Sequence, residues 1–148
     1  MTGDRTPRTS AEHGYVLDDQ IGFLLRRAYQ RNSTIFLSKV PGNLTPTQFS
    51  VMHRLAEDGP MSQNLLGRSV AMDGATTKGV VDRLIARGLL STRRDPDDRR
   101  RHLVSLSPVG VTLIDKAVEA AKQVTEATLE PLTEKERATL LRLLARIA

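Results

Sequence analysis

Apolar residues at Leu17, Ile21, Leu24, Leu25, Ala28, Ile35 and Phe36 recur at mostly helical spacing, which predicts a leading helix of about 22 residues ending before Pro41-Gly42. Ahead of it, residues 1–14 carry Thr, Pro, Gly and charge with almost nothing apolar. Such a stretch cannot offset its ordering entropy and reads as a flexible arm. Thr45-Pro46-Thr47-Gln48 supplies an N-cap, a proline at the first helical position and a glutamine at the third. Phe49, Met52 and Leu55 then carry a second helix to the stop at Asp58-Gly59-Pro60. Ser62 caps a short third helix from Gln63 to about Val70, with Leu65, Leu66 and Val70 as its apolar face. Asp73 caps a fourth, Gly74 to Ala86, with Val80, Val81, Leu84 and Ile85 expected inward and Thr76, Thr77, Lys78 and Arg83 outward; Gly88 is its stop.

Beyond Gly88 the pattern changes to short runs, Leu89–Arg93 and His102–Leu106, around Asp95-Pro96-Asp97-Asp98-Arg99-Arg100-Arg101. Proline and clustered aspartates mark a turn, so this segment reads as a two-stranded hairpin with a basic tip. Ser107-Pro108 opens a long fifth helix to about Leu129, and the capping box Thr133-x-x-Glu136 opens the last, through Leu140, Leu141, Leu143, Leu144 and Ile147.

Composition narrows the class. A chain of 148 residues with 39% apolar content is one globular domain with appended arms, not a disordered tail. Lys and Arg exceed Asp and Glu by 22 to 17, for a net charge of +5. The window Arg83–Arg101 holds seven Arg and three Asp, so +4 of that +5 is concentrated around the fourth helix and the hairpin. That is an electrostatic footprint for phosphates, although a charge run alone also fits a solvated face. Aromatics are only 3%, too few for single-strand stacking platforms, so duplex backbones are the expected partner. The absence of cysteine removes thiol chemistry and oxidant sensing and fits a reducing cytoplasm. No apolar run suits a membrane span or a signal peptide. His13, His53 and His102 lack metal-site spacing, and no metal or cofactor is expected.

Two short helices, a further helix and a basic hairpin make the winged variant of helix-turn-helix, with the last helix in the major groove and the hairpin beside it. The expected fold class is mainly α, with long terminal dimerisation helices. At the level of residues the chain resembles the MarR family of bacterial winged-helix regulators. The strings are Leu44-Thr-Pro-Thr-Gln-Phe, Met72-Asp-Gly-Ala-Thr-Thr-Lys-Gly-Val-Val-Asp-Arg-Leu-Ile-Ala-Arg-Gly-Leu-Leu, and Asp95-Pro-Asp-Asp-Arg-Arg-Arg-His-Leu-Val-Ser-Leu-Ser-Pro-Val-Gly. The resemblance spans roughly residues 18 to 147. It implies dimers built from the first and last helices, pseudo-palindromic operators and release by a small aromatic acid or phenol.

In that pattern Asp98 and Arg100 match the wing's Asp-x-Arg, where the arginine enters the minor groove and the aspartate holds its guanidinium. Thr76, Thr77 and Lys78 match groove-facing positions, and Arg83 is a candidate phosphate or base contact. Ser62 and Gln63 would meet the backbone, and Arg94, Arg99 and Arg101 complete the basic surface. Asp73 reads as a cap, since a carboxylate facing phosphate is repelled. The expected organisation is an arm over 1–14 and one domain over 15–148. Within it, about 45–107 form the DNA-binding lobe, and 15–40 and 108–148 the dimerisation helices.

For an effector, Phe23, Arg26, Arg27, Phe49, Met52 and His53 combine aromatic, soft apolar and cationic groups able to receive a flat carboxylate. Phe49 and Met52 at helical spacing are more often plain core, and a lone His53 is more often a satisfied histidine. The run Leu17-Asp-Asp-Gln-Ile-Gly-Phe-Leu-Leu-Arg-Arg-Ala and the string His53-Arg-Leu-Ala-Glu-Asp-Gly-Pro are similar to repressors of nicotinate catabolism. That similarity implies a hydroxylated pyridine carboxylate, with Arg26 or Arg27 at the carboxylate and His53 at the ring substituent. A ligand-independent architectural DNA-binding protein is the competing reading. An enzyme is not supported, because the chain has no Gly-rich phosphate loop, no Ser-His-Asp arrangement and no carboxylate pair in a plausible cleft.

Overall fold

The computed structural model describes Gly3 and residues 5–148; Met1, Thr2 and Asp4 of the expected arm lie outside the described residues. The chain forms two compact units, residues 1–31 and 32–148. In the first, a one-turn helix α1 (Ser10–His13) follows a capping box at Thr9, and a 3-10 turn covers Leu17–Asp19. Helix α2 (Ile21–Lys39) begins four residues later than periodicity predicts. The reason is local: Gln20 is extended, with its side-chain amide bound to the carbonyl of Val16 at 2.8 Å, and its own carbonyl accepts the N–H of Leu24.

The second unit contains helix α3 (Pro46–Asp58), strand β1 (Met61–Ser62), helices α4 (Gln63–Ser69) and α5 (Gly74–Ala86), strands β2 (Leu90–Arg94) and β3 (His102–Leu106), and helices α6 (Pro108–Thr128) and α7 (Glu134–Ile147). The helix starts are fixed by side chains. Thr45 Oγ1 accepts the N–H of Gln48 at 3.1 Å while Gln48 Oε1 accepts that of Thr45 at 3.1 Å, and Thr133 and Glu136 repeat the arrangement at α7. Each such cap contributes about 1 kcal/mol. The three strands pair antiparallel in the order β1-β3-β2, so the expected two-stranded hairpin gains a two-residue third strand. Ser62 pairs with Leu103 and Met61 with Val104.

Val51, Met52 and Leu55 of α3, Leu66 of α4, Val80, Val81 and Leu84 of α5, Val104 of β3, and Ile114 and Ala117 of α6 form the core. Full burial of each large aliphatic side chain stabilises by about 1.5–3 kcal/mol. Ile85, expected inward, is 37% exposed, because the buried stripe of α5 is completed by Thr77, Val80, Val81 and Leu84. At the C-terminal end of α5, Arg87 donates to the carbonyls of Gly42 and Asn43 in the turn before α3. Gly42 has φ +84°, and a Cβ there would meet Leu113 of α6 at 2.7 Å, so the turn is held from both sides.

Candidate nucleic-acid interface

The α4–α5 joint is built from short-range contacts. Ala71 takes a left-handed φ of 56°, and the N–H of Met72 returns to the carbonyl of Gly67 at 2.9 Å. Asp73 then caps α5: Oδ1 accepts the N–H of Thr76 at 2.7 Å, and Oδ2 accepts its hydroxyl at 3.0 Å. Both bonds favour the carboxylate, the backbone one more, and they hold Asp73 below the usual carboxylate range.

Thr77 does not face outward as the family pattern suggests. Its side chain is 0% exposed, its hydroxyl donates to the carbonyl of Asp73 at 2.7 Å, and it fills the space left by Gly67. A Cβ at Gly67 would lie 2.6 Å from Thr77 Oγ1. Thr77 is therefore the joint between the two helices and not a groove contact. Thr76, Lys78 and Arg83 are exposed, and Lys78 pairs with Asp82 at 2.7 Å across one helical turn. Such a surface pair contributes little to stability and leaves the ammonium free to exchange partners.

The wing corrects a second expectation. Asp98 Oδ1 accepts the backbone N–H of Arg100 at 3.0 Å, and among the described residues no ion pair joins it to the Arg100 guanidinium. The carboxylate that organises the tip is Asp95, 6% exposed. It accepts the N–H of Asp97 at 2.9 Å and both the Nε and an Nη of Arg101 at 3.1 Å. The Asp95 N–H donates to the carbonyl of Arg101 at 2.8 Å, and the Arg101 N–H to that of Asp98 at 3.0 Å. The tip is thus folded on Asp95 and Arg101, with Arg99 and Arg100 in solvent and Arg94 exposed at the end of β2. In the sequence Asp95 marks only a turn; the signal for its larger role is the Asx-turn spacing Asp95-x-Asp97.

The Asp97 N–H is the main influence holding the Asp95 carboxyl below its ordinary value; Arg101 adds to it and burial opposes it. A carboxyl with a depressed folded pKa adds stability that is complete above its unfolded value near pH 4 and is lost as pH falls through the lower folded value. The wing tip is expected to loosen below about pH 4, and Asp95→Asn is expected to abolish that acid dependence. Amide hydrogen exchange at Asp97 and Arg101 across an acid titration measures this, and equal protection throughout would contradict it.

Among the residues considered for an effector, Phe49 and His53 stack on α3 with centroids 5.9 Å apart at 26°, and Phe36 packs edge-on to Phe49 at 5.5 Å. The His53 side chain is 42% exposed, with Nδ1 3.9 Å from Glu57. Met52, at 0% exposure, belongs to the core. Phe23, Arg26 and Arg27 belong to the first unit, where the Arg27 guanidinium lies 5.9 Å from the Phe23 ring centroid. Among the described residues no group of three His, Cys, Asp or Glu is placed to hold a metal ion, and no helix is long and apolar enough to cross a membrane.

Comparison with known proteins bears on this arrangement. The sequence profile of the MarR family matches residues 44–102, from the start of α3 through the wing tip. The HTH-type transcriptional repressor NicR of Pseudomonas putida is 39% identical over 90% of this chain and 85% of its own length. The structure of Bordetella bronchiseptica BpsR, described in terms of regulation of its DNA binding by 6-hydroxynicotinic acid, is 41% identical with a TM-score of 0.84, over 90% of this chain and 96% of that one. The transcriptional repressor CouR, bound to a 23-mer DNA duplex, is 30% identical with a TM-score of 0.81, over 96% of this chain and 99% of that one.

Proposed function

The chain belongs to the MarR family and is a DNA-binding transcriptional regulator, not an enzyme; from that premise we propose a homodimeric repressor that leaves a pseudo-palindromic operator when a hydroxylated pyridine carboxylate binds. The observation that carries the reading is the pairing of a capped, outward-facing α5 with an Asp95-locked wing whose Arg99 and Arg100 stay in solvent. Thr76, Lys78 and Arg83 serve the major groove, Arg100 the minor groove, and Ser62, Gln63, Arg94 and Arg99 the backbone.

A second copy is supported by the apolar side chains left in solvent on the terminal segments. Tyr15, Leu17, Ile21, Leu24 and Leu25 precede the core, and Leu140, Leu141, Leu143 and Ile147 follow it. No residue of α7 is buried. A two-fold dimer would cover these faces and set two copies of α5 one duplex turn, roughly 34 Å, apart. Acting on cellular DNA, the protein works in the cytoplasm.

For the effector, the likeness to BpsR favours a hydroxylated pyridine carboxylate. The exposed imidazole of His53, stacked on Phe49, is suited to the ring substituent. Selection from a random duplex library, with and without 6-hydroxynicotinate, tests the reading as a whole. One palindrome lost on adding the compound is expected, whereas diffuse, ligand-insensitive recovery would favour an architectural role. His53→Ala is expected to raise the 6-hydroxynicotinate concentration needed for release about tenfold, with ligand-free duplex affinity within about twofold of wild type. An unchanged release curve would remove His53 from the pocket.

A further inference from the structure

Between the start of α4 and the wing lies a cleft of about 470 Å³ whose walls include Asn64 and Arg68 on one side and Arg100, Arg101 and His102 on the other. We propose that this cleft seats a phosphodiester of the duplex backbone, with Arg68 and His102 as DNA contacts additional to those of the recognition helix and wing tip. The inference rests on the DNA-binding reading above and assigns one piece of that partner to one place on the protein.

Three features of the cleft carry it. The guanidiniums of Arg68 and Arg101 and the imidazole of His102, from two separate elements, line one concavity together with Arg100, whose side chain is kept for the minor groove, and among the described residues no carboxylate lines it. Ser62, Gln63 and Asn64 add neutral hydrogen-bond donors suited to the remaining oxygens of a tetrahedral anion. The walls also have a fixed separation: Ser62 pairs with Leu103 across β1 and β3, immediately beside Gln63 on one wall and His102 on the other. Asp95, meanwhile, holds the Arg101 guanidinium by its Nε and one Nη, limiting that side chain to one region of the wall. Finally, among the described residues no aliphatic or benzenoid side chain lines the cleft, and the cationic and amide groups that do are of the kind that meets a sugar-phosphate backbone.

The test compares wild type with Arg68→Ala. Arg68 is exposed and is not part of the core, and melting followed by circular dichroism confirms that the variant folds. Binding is titrated at several salt concentrations against two duplexes of equal length, one recovered by selection and one unrelated. Loss of one phosphate contact removes about 0.9 from the slope of log affinity against log salt, which corresponds to about fivefold weaker binding at 0.15 M. The same factor is expected for both duplexes, because a phosphate carries no sequence. Wild-type affinity and slope in the variant would overturn the cleft assignment alone, and so would a loss confined to the selected duplex, which would mark a base contact. Absence of wild-type binding to either duplex would overturn the DNA-binding reading with it.

Discussion

Gly110→Ala is expected to destabilise the 32–148 unit by about 3 kcal/mol, the upper end of what overpacking a close-packed site costs. Gly110 lies in the first turn of α6, and a Cβ there would stand 2.1 Å from the carbonyl oxygen of Leu89 and 3.1 Å from its carbon. That carbonyl cannot swing aside freely, because it accepts the N–H of Ser107 at 3.0 Å. Ser107 is itself committed: its hydroxyl donates to the carbonyl of Gly88 at 2.6 Å and accepts the N–H of Gly110 at 3.0 Å. One methyl group must therefore either break the bond joining the end of α5 to the start of α6 or unwind the α6 cap. Urea unfolding followed by helical ellipticity measures the loss. A variant within about 0.5 kcal/mol of wild type would show that the segment moves more readily than these bonds imply.

Arg100→Ala is expected to weaken binding to the selected duplex about 10- to 100-fold with an unchanged melting temperature. The contrast with Arg101 explains the separation of binding from stability. Arg101 is spent on Asp95, so removing it would disturb the tip itself, whereas the Arg100 side chain is in solvent and only its backbone N–H is held, by Asp98. A narrow, electronegative minor groove is where such a planar cation gains most. Fluorescence anisotropy at fixed salt, paired with thermal melting, distinguishes the two effects. Wild-type affinity in the variant would remove the wing tip from the interface.

Much of this architecture could be read from the chain because its elements are bracketed locally. Helix α5 runs over the expected Gly74 to Ala86 since Asp73 at one end and Gly88, at φ +74°, at the other both act within a few residues. Strand β1 is two residues long and exists only through its pairing with Leu103 and Val104, a non-local fact that no window around Met61 contains. The inward position of Thr77 is hidden from the sequence for a related reason. A threonine on a basic helix looks solvent-facing until the missing side chain of Gly67, ten residues earlier, opens a space that it fills. The aspartates of the tip illustrate a third limit: Asp95, Asp97 and Asp98 are all within reach of several arginines along the sequence. Only the fold of the turn selects Asp95 as the partner of Arg101 and leaves Asp98 to the main chain.

The closure of Gly67 on Thr77, together with the ladder joining Ser62 to Leu103, has a consequence for how DNA is read. Helix α4, helix α5 and the wing are fastened into one stiff gauge. A duplex that meets such a gauge is expected to bend or narrow to fit it, so that base pairs no side chain touches enter the choice of operator through the work of deforming them.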